Sequence, residues 1–121
     1  MVDMLPKLFF VHFRDTSFVA ERDGELAGFL VGFLSQSQPD AAYVHFVGVS
    51  PAERGTGLGR ELYERFFEQA RAEGRTRVSC VTSTANTWSV AFHTAIGFEP
   101  SDPQAGYDGP GEDRIVLTRS L

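Results

Sequence analysis

Cysteine occurs once in this chain, at Cys80. A single thiol excludes an intrachain disulfide and gives no basis for a cysteine-rich metal site, so no metal is expected. Lysine also occurs once, at Lys7; every other basic residue is arginine. Eleven basic side chains stand against sixteen acidic ones, for a net charge of −5. A nucleic-acid binder would carry a basic face, so that class is set aside. Long apolar runs are missing too. Leu8–Val11 falls far short of the roughly 20 residues that cross a bilayer as a helix, and it lacks the layout of a secretory signal. The expectation is a cytoplasmic protein with no membrane partner. No internal repeat is visible, and 121 residues make a single domain, 1–121. What is abundant is phenylalanine: eleven of them, enough to build a core.

The residues present are organised around Tyr43–Gly74. Val44, Phe46, Val47 and Val49 make a β-branched and aromatic run that Pro51 stops. Gly55, Gly57 and Gly59 follow, then an amphipathic helix. Glycine lets a ligand approach the main chain, and a helix start has N–H groups without intrahelical partners. Strand, glycine turn and helix start together suit an anion, phosphate above all. Arg54 and Arg60 bracket the turn and would add charge-assisted bonds. A Walker loop is excluded because no lysine follows the glycines. A dinucleotide fingerprint is excluded because its third glycine would fall at Arg60.

The rest of the chain reads in order. Asp3 caps a helix over Met4–Phe13, with His12 at its surface. A strand over Ser17–Glu21 turns at Asp23-Gly24 into a return strand, Leu26–Leu34, apolar at both parities. Gly28 and Gly32 lie on one face of it and invite close packing. A polar loop, Ser35–Asp40, leads to the strand Ala41–Val49. Strict alternation there puts Tyr43, His45, Val47 and Val49 on one face. The long helix spans about Gly57–Glu73 and buries Leu58, Leu62, Tyr63, Phe66, Phe67 and Ala70. A strand over Arg77–Thr82 should run parallel to the strand before that helix. Asn86 caps a helix from Thr87 to about Ile96, and Gly97 ends it. Ser101–Asp113 is a long polar loop before a final strand, Arg114–Arg119.

The run Arg54-Gly55-Thr56-Gly57-Leu58-Gly59 resembles the [RQ]-x-x-G-x-[GA] signature of the GCN5-related N-acetyltransferases. A second segment, Asn86 to Phe98, resembles that family's Asn, then an aromatic polar residue seven positions on, then Gly-Phe; Asn86, His93 and Gly97-Phe98 take those places. The resemblance covers roughly Ser17 to the C-terminus. It implies an α/β (α+β) fold with a mixed, mostly antiparallel sheet, flanked by helices and splayed between the fourth and fifth strands of the family's count. Acetyl-coenzyme A would lie in that gap. Backbone groups of Val47 and Val49 would pair with the pantetheine arm. Backbone N–H groups of Gly55, Thr56, Gly57, Leu58, Gly59 and Arg60 would hold the pyrophosphate, with the Arg54 side chain nearby. Asn86 would contact the pantetheine, cap its helix, or both.

Two departures from the family pattern stand out. His93 replaces the usual Tyr, which faces the leaving thiolate; an imidazolium would serve as donor there. The family's first strand and helix have no counterpart here. The alternatives are a truncated start, a compact variant, or an edge covered by a second subunit in a homodimer. The resemblance implies an acetyl-CoA-dependent N-acetyltransferase acting by direct transfer on a primary amine, a small molecule or a peptide. His45, on the fourth strand of the family's count, is the candidate for the amine's proton, with Tyr43 next. The rivals are a non-catalytic acyl-CoA sensor and an enzyme that acetylates protein N-termini or lysines. In the polar loop, Asp108, Glu112 and Asp113 are candidates to attract an ammonium.

Overall fold

The computed structural model describes residues 7–121; the Asp3 cap and the helix start at Met4 lie outside the described residues. Helix α1 (Lys7–His12) is followed by a 3-10 turn, Arg14–Thr16. Strands β1 (Phe18–Arg22), β2 (Glu25–Leu34) and β3 (Ala41–Val49) come next, then α2 (Leu58–Ala72) and β4 (Arg77–Ser83). Helix α3 (Thr87–Ala95), a two-residue β5 (Glu99–Pro100) and β6 (Arg114–Ser120) complete the chain. The sheet order is β1-β2-β3-β4-β6-β5. All neighbours are antiparallel except β3 and β4, which run parallel because a helix connects them. Among the described residues no helix is long and apolar enough to cross a membrane.

Local chemistry builds most of these elements. The β1–β2 turn has φ of 55° at Asp23 and 80° at Gly24, both left-handed, as a tight two-residue hairpin demands. Six consecutive residues of β2, Ala27 to Gly32, are buried because helices cover both faces of the strand. On one face α1 brings Phe9 onto Phe29 and Val31. On the other, α2 lays Leu62, Tyr63, Phe66 and Phe67 over Leu30, Val44 and Val78. The two strand glycines permit that approach. A Cβ at Gly28 would lie 3.1 Å from Leu58 Cδ2, and one at Gly32 would lie 2.6 Å from Phe66 Cε1.

Two features shape the site. First, β3 and β4 pair only over Ala41–Tyr43 and Arg77–Ser79. Beyond Tyr43 they part, so the sheet is splayed at the expected gap, the third and fourth strands of this chain. Second, β3 is bulged. Leu30 pairs with Val47 and Val31 with Phe46, but Gly32 pairs with Val44. His45 is the extra residue, and an inserted residue reverses the alternation beyond it. The strict alternation expected for this strand is therefore corrected. His45 stacks on Phe9 of α1 (5.2 Å, 16°) and Tyr43 on Phe33 (5.3 Å, 29°). Val47 joins Val44 on the α2 face.

Candidate active site

The candidate phosphate cradle lies where the glycine turn meets α2. Gly55 and Gly57 have φ of +85° and +89°, and nothing stands within 4 Å of where a Cβ would be. The first intrahelical bond of α2 is Glu61 N–H to Gly57 O (3.0 Å). The N–H groups of residues 57–60 thus have no intrahelical acceptor, and no side chain caps this end. Thr56 turns its hydroxyl away, donating to Glu53 O (2.6 Å). Buried Glu53 is neutralised by Arg22 at 2.9 Å, so it sets no bare carboxylate against an anion. Leu58 and Gly59 serve packing as well: Leu58 covers Gly28, and a Cβ at Gly59 would lie 2.9 Å from Phe92 Cζ. Val49, Arg54, Arg60 and Trp88 join the turn around a cavity of about 450 Å³.

A second cavity, about 560 Å³, fills the splay between β3 and β4. Val47 and His45 wall it on one side, Cys80 to Ser83 on the other, and Asn86, Trp88 and His93 of the α3 segment close it. Asn86 Oδ1 accepts the Ser89 N–H at 3.0 Å, so it caps α3, and it also borders this cavity. The arrangement runs from an uncapped helix start to a gap lined by titratable side chains.

His93 is buried, and both ring nitrogens are engaged. Nδ1 lies 2.7 Å from Ser89 O, which only accepts, so Nδ1 carries the proton. In the neutral ring Nε2 is then bare, and the Tyr63 hydroxyl donates to it at 2.6 Å. Burial lowers the His93 pKa from its ordinary value, while the bond to Ser89 opposes the shift. Burial also raises Tyr63 well above the ordinary phenol value and pushes the Cys80 thiol up to about 12, so that thiol is inert. Neutral His93 accordingly has no N–H free to offer a thiolate directly, unlike the donor expected from sequence.

The acetyltransferase (GNAT) family model matches residues 3–98. The chain belongs to the GNAT acetyltransferase family. It is 37% identical over 84 residues to the L-2,4-diaminobutyric acid acetyltransferase of Nocardia farcinica, an alignment covering 69% of this chain and 44% of that protein. The chain thus spans less than half the length of that relative. The crystal structure of nourseothricin acetyltransferase matches at a TM-score of 0.77 and 29% identity, over 86% of this chain and 64% of that one. A GNAT acetyltransferase from Elizabethkingia anophelis, crystallised with acetyl-CoA bound, shares the fold at a TM-score of 0.76 and 17% identity, over 98% of this chain and 85% of that one.

Within this GNAT framework the polar loop is ordered by Arg114. Its guanidinium pairs with Asp108 (2.9 Å) and Glu112 (2.8 Å), while Asp113 Oδ1 accepts the Gly106 N–H (2.9 Å). Of the three candidate carboxylates only Asp108 borders the β3–β4 cavity, beside Tyr107 and Tyr43. Burial pushes Tyr43 up to about 12. Two residues escaped the sequence reading. Tyr63 reads from sequence only as part of the helix stripe, although a buried tyrosine hydroxyl demands a partner. Trp88 sits inside the second family segment, two positions after Asn86, and no motif position drew attention to it. Among the described residues no cluster of three His, Cys, Asp or Glu could hold a metal.

Proposed function

We propose that this chain transfers an acetyl group from acetyl-coenzyme A directly to a primary amine. The observation that carries this reading is the free N–H cradle at the start of α2, opening into the β3–β4 gap. The residues fit the cofactor: left-handed Gly55 and Gly57 leave space above the turn, and Arg54 and Arg60 supply positive charge. Acetyl-coenzyme A supplies the acetyl thioester. The main-chain N–H groups of Gly55 and of Gly57–Arg60 hold the diphosphate, that of Thr56 being taken up by Glu53 O at 3.2 Å, and the backbone of Val47 and Val49 aligns the pantetheine arm. Asn86 steadies the opposite wall by capping α3. Holding amine and thioester together accounts for much of the rate.

Proton handling falls to the histidines. His45, exposed and stacked on Phe9, accepts the ammonium proton from the α1 side of the sheet. His93 acts through Tyr63. A proton that reaches Tyr63 Oη displaces the hydroxyl proton onto His93 Nε2, and the reverse shift returns it towards the leaving sulfur. One net negative charge on the Asp108–Arg114–Glu112 group draws the ammonium. The acceptor class is an amine-bearing small molecule or a peptide, and a cytoplasmic setting suits both. The outer edge of β1 has no neighbouring strand among the described residues, which is where a second copy would add in a homodimer.

Thiol release from acetyl-coenzyme A across diamines, amino acids and basic peptides tests the reading. Turnover is expected with one acceptor class. Arg54→Glu should raise KM for acetyl-coenzyme A roughly 10- to 100-fold, the worth of a charge-assisted hydrogen bond. Binding without turnover on any acceptor would instead favour an acyl-coenzyme A sensor, which the fully engaged nitrogens of His93 would suit.

Asp108→Asn with Glu112→Gln turns the loop group from one net negative charge to one positive. Acceptor KM should then rise roughly two- to fivefold, the scale of exposed ion pairs, with KM for acetyl-coenzyme A unchanged. An unaltered acceptor KM would remove the loop from acceptor recognition.

A further inference from the structure

The two cavities share one residue among those described, Trp88. It is the chain's single tryptophan, and it is 53% exposed. An indole so open still has a fixed position. One face lies flat on Phe92, with ring centroids 5.3 Å apart and an interplanar angle of 7°. Phe92 is itself wedged against Gly59, at the start of α2. The Arg54 guanidinium, from the far side of the groove, stands 5.2 Å from the Trp88 centroid. Arginine, indole and phenyl therefore bridge from the glycine turn to α3, across the place where the groove passes from one cavity to the other.

We infer that Trp88 is a cofactor-contact residue, and that Arg54 rests on its indole until the diphosphate of coenzyme A draws it away. The inference deepens the acetyl-coenzyme A reading and rests on it. A molecule with its diphosphate on the helix start and its arm in the β3–β4 gap would lie beside Trp88, which borders both spaces. A guanidinium on an aromatic face keeps only a quadrupole attraction, whereas a diphosphate offers it full opposite charge. Its transfer frees the indole face for the apolar stretch of the arm. Neither family signature specifies this contact; Arg54 belongs to the first, but its partner on α3 does not.

With one tryptophan in the chain, emission reports on Trp88 alone. Coenzyme A should change that emission saturably, with a midpoint matching the Kd from calorimetry. Trp88→Ala should raise that Kd roughly tenfold, and Trp88→Phe should hold it within about threefold of wild type. Arg54→Ala should alter the emission of the ligand-free chain, because it removes the guanidinium from the ring. Calorimetric binding with unchanged emission would overturn the inference while leaving the cofactor reading intact. So would a Trp88→Ala Kd within about twofold of wild type, and ligand-free emission identical in Arg54→Ala would refute the resting position of Arg54. Should Trp88→Ala fail to fold by circular dichroism, Trp88→Phe and the wild-type emission decide. No calorimetric binding to the wild-type chain would bring down the cofactor reading and this inference together.

Discussion

Tyr63→Phe and His93→Phe should each slow acetyl transfer by roughly 10²- to 10⁴-fold, the range for a lost acid–base group. The double variant should lose little more than either single one. In the proposed mechanism both residues serve one proton path, through the 2.6 Å bond between Tyr63 Oη and His93 Nε2, and a path broken once is broken. Stability should show the same coupling. Tyr63→Phe leaves Nε2 buried without a donor, a loss of about 1–3 kcal/mol, and removing both polar partners should recover part of it. A pH titration tests the burial of the imidazole. Burial lowers the folded pKa of His93 below the ordinary value of 6.5, so near neutrality the unfolded chain takes up the proton first. The stability this contributes is complete above 6.5 and is lost as pH falls through the lowered value. Melting followed from about pH 7.5 to about pH 5 should show that slope in the wild type and lack it in His93→Phe. Additive rate losses in the double variant would dissolve the proposed path.

Phe66→Ala should be the most destabilising of the single substitutions considered, at about 3–5 kcal/mol. The ring is fully buried at the centre of the α2–sheet interface. It also fills the space that Gly32 leaves open, where an added Cβ would sit 2.6 Å from Phe66 Cε1. Neighbouring side chains cannot close that volume, because Gly32 has none and Tyr43 O stands at 2.7 Å on the strand beside it. Against a typical total stability of about 5–15 kcal/mol, the loss should lower Tm by roughly 10–20 °C. Helix α2 presents the proposed diphosphate cradle at its N-terminus, so a loosened helix should weaken coenzyme A binding as well. A calorimetric or denaturant measurement giving less than about 1 kcal/mol would show that α2 is held elsewhere.

How much of this was legible in the sequence follows from range. Asp23-Gly24 announces its hairpin because the two φ angles belong to those two residues. Asn86 announces its cap because the bond reaches only to Ser89. The glycine turn and the stripe of α2 are equally local, and with the second family segment they sufficed for the fold and the splay. The bulge is another matter. Counting along β3 placed His45 with Val47, but register is decided by the partner strand, where Gly32 takes Val44 and leaves His45 over. β5 is two residues long and exists only through pairing with β6.

The proton pair shows the same division. Tyr63 and His93 are thirty residues apart on different helices, and each alone has an ordinary explanation: a core tyrosine and a departure from a motif. Packing of α2 and α3 against one sheet face brings their polar atoms to 2.6 Å, and burial then selects the neutral imidazole. Trp88 became visible in the same way, through its contacts with Phe92 and Arg54. Sequence by itself determined what short-range bonding controls: the turns, the caps, the helix stripe and the glycine turn at the helix start. Tertiary structure decided which side chains meet, since that depends on strand register and helix docking, and both are set by residues far away along the chain.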